Sequence, residues 1–243
     1  VPTGRTEQAV AAFLRTAATV PVPPAASSSP SSAALGVGAA EGAVPRGRLI
    51  FAMDATASRQ PTWDRAIALQ GEMFDAAAGF GGLAIQLVFY RGFGECKSTG
   101  WLASAPALKA KMAAVSCLAG STQLRRVLRH AAAEARQARV HALIFIGDCM
   151  EEDLDAVGDA AGALALLGVP AFLFHEGGDA GAEAAFRQIA HLTGGACCRF
   201  DAGSPSHLRA LLGGVAAFAS GGRPALEAYG RRHTEALHLL TRG

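Results

Sequence analysis

Apolar residues along this chain fall into short unbroken runs separated by stretches of helical periodicity, and the alternation begins near residue 46. Runs at 49–53, 83–90, 141–146, 169–174 and 197–200 have the length and continuity of strands covered on both faces of a sheet. Between them the spacing predicts helices over 61–78, 105–115, 123–138, 154–167, 182–192 and 206–219, with Pro61 suited to an opening turn. The stretch 94–102 differs, because ECKSTGWL mixes polar and apolar residues after the turn RGFG. It reads as an antiparallel edge strand hairpinned onto its predecessor. Strands alternating with helices predict an α/β class: a three-layer, Rossmann-like fold with a mainly parallel central sheet, one antiparallel edge strand and helices on both faces.

Outside this region the texture changes. Residues 6–18 allow one short helix with Val10, Phe13 and Leu14 on a common face. They are followed by PVPPAASSSPSSAALGVGAAEGAVP, a linker composition too poor in large apolar groups to offset its ordering entropy. Past Gly221 and Gly222, residues 223–240 predict a last helix whose Leu226, Tyr229, Leu237 and Leu240 form an irregular stripe expected to pack on the domain. The expected organisation is an arm over 1–45, a folded domain over 46–221 and a helical extension over 222–243.

Composition narrows the function classes. Charged residues make up 17% of the 243 and apolar residues 51%, so a sizeable core is expected. A net charge of +2 and the lack of a basic run with interleaved aromatics give no nucleic-acid signal. No apolar stretch approaches the ~20 residues that span a bilayer, and VPTGRTEQAV lacks the apolar core of a secretory signal, so a cytoplasmic protein is expected. Five cysteines at irregular spacings predict reduced thiols, with Cys197 and Cys198 as buried strand residues.

The chemistry concentrates where strands end. The first strand runs into DATAS, so Asp54, Thr56 and Ser58 present one carboxylate and two hydroxyls at alternate positions. In an open parallel sheet ligands bind outside the carboxyl ends of the strands. Thr122, in AGSTQL, precedes a helix and either caps it or faces a metal, and Asp148 directly follows HALIFIG. Two carboxylates and three hydroxyls form an oxygen set for a hard cation, Mg2+ or Mn2+, with about one octahedral position left for an outside ligand.

DATAS, GSTQL and FIGD, in this order and on these elements, resemble the von Willebrand factor type A (VWA) domain and its metal-ion-dependent adhesion site (MIDAS), with Thr56 in place of that motif's middle serine. The likeness covers roughly residues 46–220. It implies that Thr56 and Ser58 touch the cation through their hydroxyls and that Thr122 joins directly in a high-affinity state. Asp54 and Asp148 would act largely through bound water. It also implies a protein-binding module in place of an enzyme, with a partner presenting Asp or Glu to the metal and the whole serving as a cytosolic component of a larger assembly. Two departures bear on the partner. The second aspartate is followed by Cys149, Met150, Glu151, Glu152 and Asp153, an acidic cluster that either suits the dipole of its own helix or faces the cation. Arg59 either attracts an acidic ligand or lies over the first helix. Arg59, Glu151 and Glu152 are therefore the candidate partner contacts.

Three alternatives compete. GDCMEED resembles the acidic motif of haloacid-dehalogenase-like magnesium phosphatases, with Asp54 as nucleophile, yet the second acid that chemistry needs is Thr56 here, and residues 122–148 contain no lysine. A dinucleotide enzyme would need GxGxxG after the first strand, and a serine hydrolase GxSxG; neither occurs, and His130, His141 and His175 read as satisfied polar residues. Outside these three enzyme classes, a scaffold with an empty metal site is a further reading.

Overall fold

The computed structural model describes residues 45–200 and 205–240; the expected helix over 6–18 and its linker lie outside the described residues. Strands β1 (Gly47–Asp54), β2 (Leu83–Arg91), β3 (Glu95–Ser98), β4 (Ala142–Gly147), β5 (Ala171–Glu176) and β6 (Ala196–Phe200) form one sheet in the order β3-β2-β1-β4-β5-β6. All pairings are parallel except β2 with β3, the hairpin expected at the edge. Beyond β3 the predicted edge strand loses its ladder, and Leu102 returns for a single bridge to Ile85.

Continuous apolar runs work here because side chains alternate between faces. In β1, Leu49, Phe51 and Met53 enter one core while Ile50 and Ala52 enter the other. In β4, Ala142, Ile144 and Ile146 face the first core, and Leu143 and Phe145 the second. Helices α1 (Gln60–Leu69), α2 (Gly71–Ala78), α3 (Ala105–Ala113) and α7 (Pro205–Leu240) cover the first face through residues such as Trp63, Met73, Leu108 and Leu212. Helices α4 (Leu124–Gln137), α5 (Leu154–Leu166) and α6 (Ala180–Thr193) cover the second through Leu128, Leu164 and Phe186. This is the expected three-layer α/β arrangement.

One helix prediction needs adjustment. The helix expected over 61–78 is interrupted at Gln70, just before Gly71, a residue of low helix propensity. The break expected after Gly221 falls at Gly222, whose φ of 65° is a left-handed conformation, and Pro224 follows in the next turn. Leu226 beyond this kink is buried in the first core, so the start of the extension packs on the domain; the side chains of Leu237 and Leu240 lie outside those described.

β1 joins β2 on one side and β4 on the other, so the chain's winding reverses between β1 and β4. The carboxyl ends of these two strands therefore flank the crevice where α/β sheets accept ligands. At their opposite ends, the Arg48 N–H donates to His141 Nδ1 at 3.0 Å. Burial, then the positive charges of Arg139 and Arg48, push the His141 imidazole down from 6.5 to about 4. The unfolded chain thus binds one more proton between these values. Stability should be complete above pH 6.5 and fall as pH drops toward 4. The loss is on the order of 2 kcal/mol once solvent screening at this partly exposed position is allowed for. Urea unfolding across this range should show that slope for the wild type and a flatter one for His141→Asn.

Candidate metal centre

Three loops meet at the crevice between β1 and β4. Asp54 ends β1, and the chain then turns through Thr56 and a 3-10 turn at Ala57–Arg59 into α1. Thr122 comes from the loop before α4 and Asp148 from the residue after β4. Asp54, Thr56, Ser58, Thr122 and Asp148 line one cavity of about 290 Å3, bordered also by Gly120, Cys149 and Glu151. The structure thus gathers the five residues that the sequence singled out. Asp54, Thr56 and Thr122 are buried, Asp148 half-buried and Ser58 exposed at the rim.

The threonine loop is fixed from behind. The Leu118 N–H donates to the Ala55 carbonyl at 3.0 Å, and the Ser121 N–H to the Gly92 carbonyl at 3.2 Å. The Gln123 side-chain amide bonds the carbonyls of Arg91 and Gly92. Thr122 does not cap α4: its hydroxyl donates to the Cys149 carbonyl at 3.3 Å, tying the second and third loops together.

Asp54 is the electrostatic centre. Burial holds its carboxyl above the usual carboxylate range, opposed by hydrogen bonds from Thr56 and reinforced by the Asp148 charge. The Thr56 N–H donates to Asp54 Oδ1 at 2.7 Å. The Tyr90 hydroxyl, fully buried beside Asp54, has no hydrogen-bond partner of good geometry among the described residues. Its own pKa is pushed well up by burial and then by the Asp54 charge. Two close carboxylates in a buried pocket create a demand for positive charge.

Part of that demand is met from within. Arg59 Nη2 lies 2.9 Å from Asp148 Oδ2, and its Nη1 lies 2.6 Å from Glu176 Oε2 at the end of β5. The Thr62 hydroxyl also donates to Glu176. Arg59 therefore neither projects toward a partner nor lies over α1; it closes an ion-paired bridge between the β4 and β5 ends. The acidic cluster is divided as well. Asp153 caps its own helix by accepting the Ala156 N–H at 2.8 Å. Glu152 instead accepts the Arg125 N–H at the start of neighbouring α4, and Glu151 accepts the Thr122 N–H at 3.3 Å beside the cavity. The helix that benefits from these two glutamates is α4.

Glu176, Thr62 and Tyr90 escaped the sequence reading. The signal for Glu176 was available, since AFLFHEGG is another apolar strand ending in an acid at the same sheet edge. His175, beside it, is fully buried and hydrogen-bonds the Asp148 carbonyl through Nε2 at 3.2 Å. Its buried Nδ1 has no hydrogen-bond partner among the described residues, so the expected satisfied histidine is satisfied at one ring nitrogen only; His130 bonds Gln86 through Nε2.

The donor set suits a hard divalent ion: oxygen donors throughout, a carboxylate destabilised by burial and a neighbouring negative charge. Among the described residues no group of three His, Cys, Asp or Glu side chains converges as a metal site, so a cation here would depend on the hydroxyls. For phosphatase chemistry the arrangement is unsuited. The residue two positions after Asp54, where that chemistry needs a second acid, is a threonine whose amide is bonded to the Asp54 carboxylate.

No protein-family model matches the chain, and no curated protein matches it in sequence. Solved structures do match it in fold. The VWA domain of SpRpn10 aligns at a TM-score of 0.54 and 10% identity, over 70% of this chain and 94% of that one. The mussel byssus proximal thread matrix protein 1, solved with a zinc-occupied MIDAS motif, aligns at 0.56 and 17%, over 72% and 48%. The pilus adhesin SpaC of Lactobacillus rhamnosus GG aligns at 0.57 and 10%, over 76% and 30%. The chain has the VWA fold; of these neighbours SpaC is named an adhesin, and the thread protein carries a MIDAS motif.

Gly120 makes the threonine loop testable. A Cβ at this position would stand 2.2 Å from the Gly92 carbonyl oxygen and 2.4 Å from its nitrogen. Both are backbone atoms, so Gly120→Ala must displace the loop. We expect a loss of about 1–3 kcal/mol in urea unfolding. Amide chemical shifts should move at Thr122 and Cys149, while those in β5 and β6 stay in place.

Proposed function

We propose that this chain is a divalent-cation-dependent protein-binding module whose cation, Mg2+ or Mn2+, is held by Asp54, Thr56, Ser58, Thr122 and Asp148. The observation that carries the reading is the convergence of these five oxygen-bearing side chains, from three separate loops, on one cavity at the point where the sheet's winding reverses. Thr56, Ser58 and Thr122 supply neutral hydroxyls, and Asp54 and Asp148 supply the charge. When bound, the ion offers a Lewis-acidic position for a carboxylate from outside. A partner presenting Asp or Glu fits this role, because a site with few direct carboxylates leaves the ion underneutralised. The zinc-bearing MIDAS of the mussel protein supports a divalent ion in such a site. Five free thiols suit a reducing compartment, so we assign the module to the cytoplasm, as a part of a larger assembly.

A second reading is favoured by one specific contact. With Arg59 bonded to Asp148, the guanidinium already supplies positive charge there, as a scaffold with a permanently empty metal site would require. Cation titration separates the two. Calorimetry with Mg2+ or Mn2+ should show one saturable site, lost in Asp54→Ala and in Asp148→Ala. Arg59→Gln should bind the ion about tenfold more tightly, equivalent to ~1.4 kcal/mol of relieved repulsion. If neither wild type nor Arg59→Gln saturates, the scaffold reading stands. With binding established, affinity capture by wild type should recover proteins that Asp54→Ala and chelator-treated wild type do not. Identical recoveries would exclude docking through the ion.

A further inference from the structure

Helices α4 and α5 pack side by side over the second core, and a groove of about 390 Å3 runs along the outside of their seam. One wall carries Arg125, Arg129 and Arg136 from α4; Ala156 and Ala160 from α5 form a low floor, with Asp159 as the one acidic lining group. The arginines are four and eleven positions apart, which at 100° per residue keeps them within about 40° of one another on the helix surface. They form a ladder roughly 16 Å long.

These guanidiniums differ from several others in the protein. Arg48, Arg59, Arg91, Arg187 and Arg209 each pair with a carboxylate. Among the described residues, Arg125, Arg129 and Arg136 make no side-chain ion pair or hydrogen bond; Arg125 is engaged only through its backbone N–H, by Glu152. All three are exposed. Like charges four residues apart work against the helix that carries them. A small-residue floor beneath aligned guanidinium groups that no carboxylate of the described residues pairs is the form of a site for a negatively charged chain.

We infer that the α4–α5 groove binds an acidic polypeptide segment of the partner, its carboxylates meeting Arg125, Arg129 and Arg136 in turn. Arg125, in the groove's lining, is three residues from Thr122 in the lining of the metal centre. A segment whose leading carboxylate enters the cavity therefore continues onto the arginine ladder. This direction of approach rests on the cation-centred docking proposed above, whereas the ladder's attraction for acidic chains does not. The occupant is not the chain's own arm: residues 1–44 contain Arg5 and Arg15 against Glu7 and Glu41, and so carry no net charge. Nor do the groove's features favour nucleic acid. Its lining has no aromatic ring on which a base could stack.

The test uses the full 243-residue chain and a labelled synthetic peptide of roughly twelve residues, rich in Glu, followed by fluorescence anisotropy with and without Mg2+. Controls are the same peptide with Gln for Glu and an oligothymidylate of similar length. The Glu peptide should bind, with an affinity that falls between about 50 and about 200 mM salt, and the Gln peptide should bind at least about tenfold more weakly. Arg129→Glu, and separately Arg125→Gln with Arg136→Gln, should each weaken the Glu peptide about tenfold whether or not Mg2+ is present. Because these positions are exposed, melting temperatures should match wild type and establish that the variants fold. Asp54→Ala should remove only the Mg2+-dependent increment. If Asp54→Ala and chelation change nothing while the arginine variants still weaken binding, the groove stands and the cation reading falls. Arginine variants that bind like wild type, or tighter binding of oligothymidylate than of the Glu peptide, would overturn the inference.

Discussion

Because β1 is enclosed by β2 and β4 at its sides and by helices on both faces, its side chains stay out of water along almost its full length. From Leu49 to Met53 such a strand carries no charge, and Asp54 is where it ends. The same holds for β4, whose six residues are all buried and whose successor is Asp148. Parallel pairing of the two strands, with Met53 opposite Ile146, brings both exits to one level. The proximity of the two carboxylates thus follows from sheet register. The loops then add hydroxyls to a position already rich in negative charge.

Charge at this edge is balanced in stages. Asp54 receives hydrogen bonds from Thr56 but, among the described residues, no cationic side chain pairs with it, and burial makes its ionised form costly. Asp148 has Arg59, and Arg59 is held in turn by Glu176. The result is an asymmetric pair, one carboxylate neutralised internally and one not. An exogenous cation would meet Asp54 as its unsatisfied partner and Arg59 as a competitor. This asymmetry gives the site a means of setting affinity without altering its donors. The neighbouring start of α4 is stabilised independently by Glu151 and Glu152, so the threonine loop does not depend on the cation for its anchoring.

Most of the fold was legible because the sheet is buried on both faces: runs such as LAIQLVFY and ALIFIG have the length and continuity of strands covered on both sides. The edge hairpin was visible for the converse reason, since β3 has an exposed side and carries polar residues there. The gathering of Asp54, Thr56, Ser58, Thr122 and Asp148 was legible because strand ends on one edge of a parallel sheet must be neighbours. What sequence could not supply was the direction of long side chains. Arg59 spans from the β1 loop to Glu176, 117 positions later, and Glu152 reaches across to the helix before it in the chain. Such pairings depend on the spacing between elements, which periodicity does not encode. The break at Gln70 was missed because one glycine beside a continuous apolar stripe is a weak interruption.

The contact of Gly120 with Gly92 has a mechanical meaning. Two chain segments touch there main chain to main chain, with no side-chain volume between them to yield. The turn between β2 and β3, at the free margin of the sheet, and the loop that carries Thr122 are thus seated directly on one another. The two have to be accommodated together, and neither can take on bulk at this point without moving its neighbour.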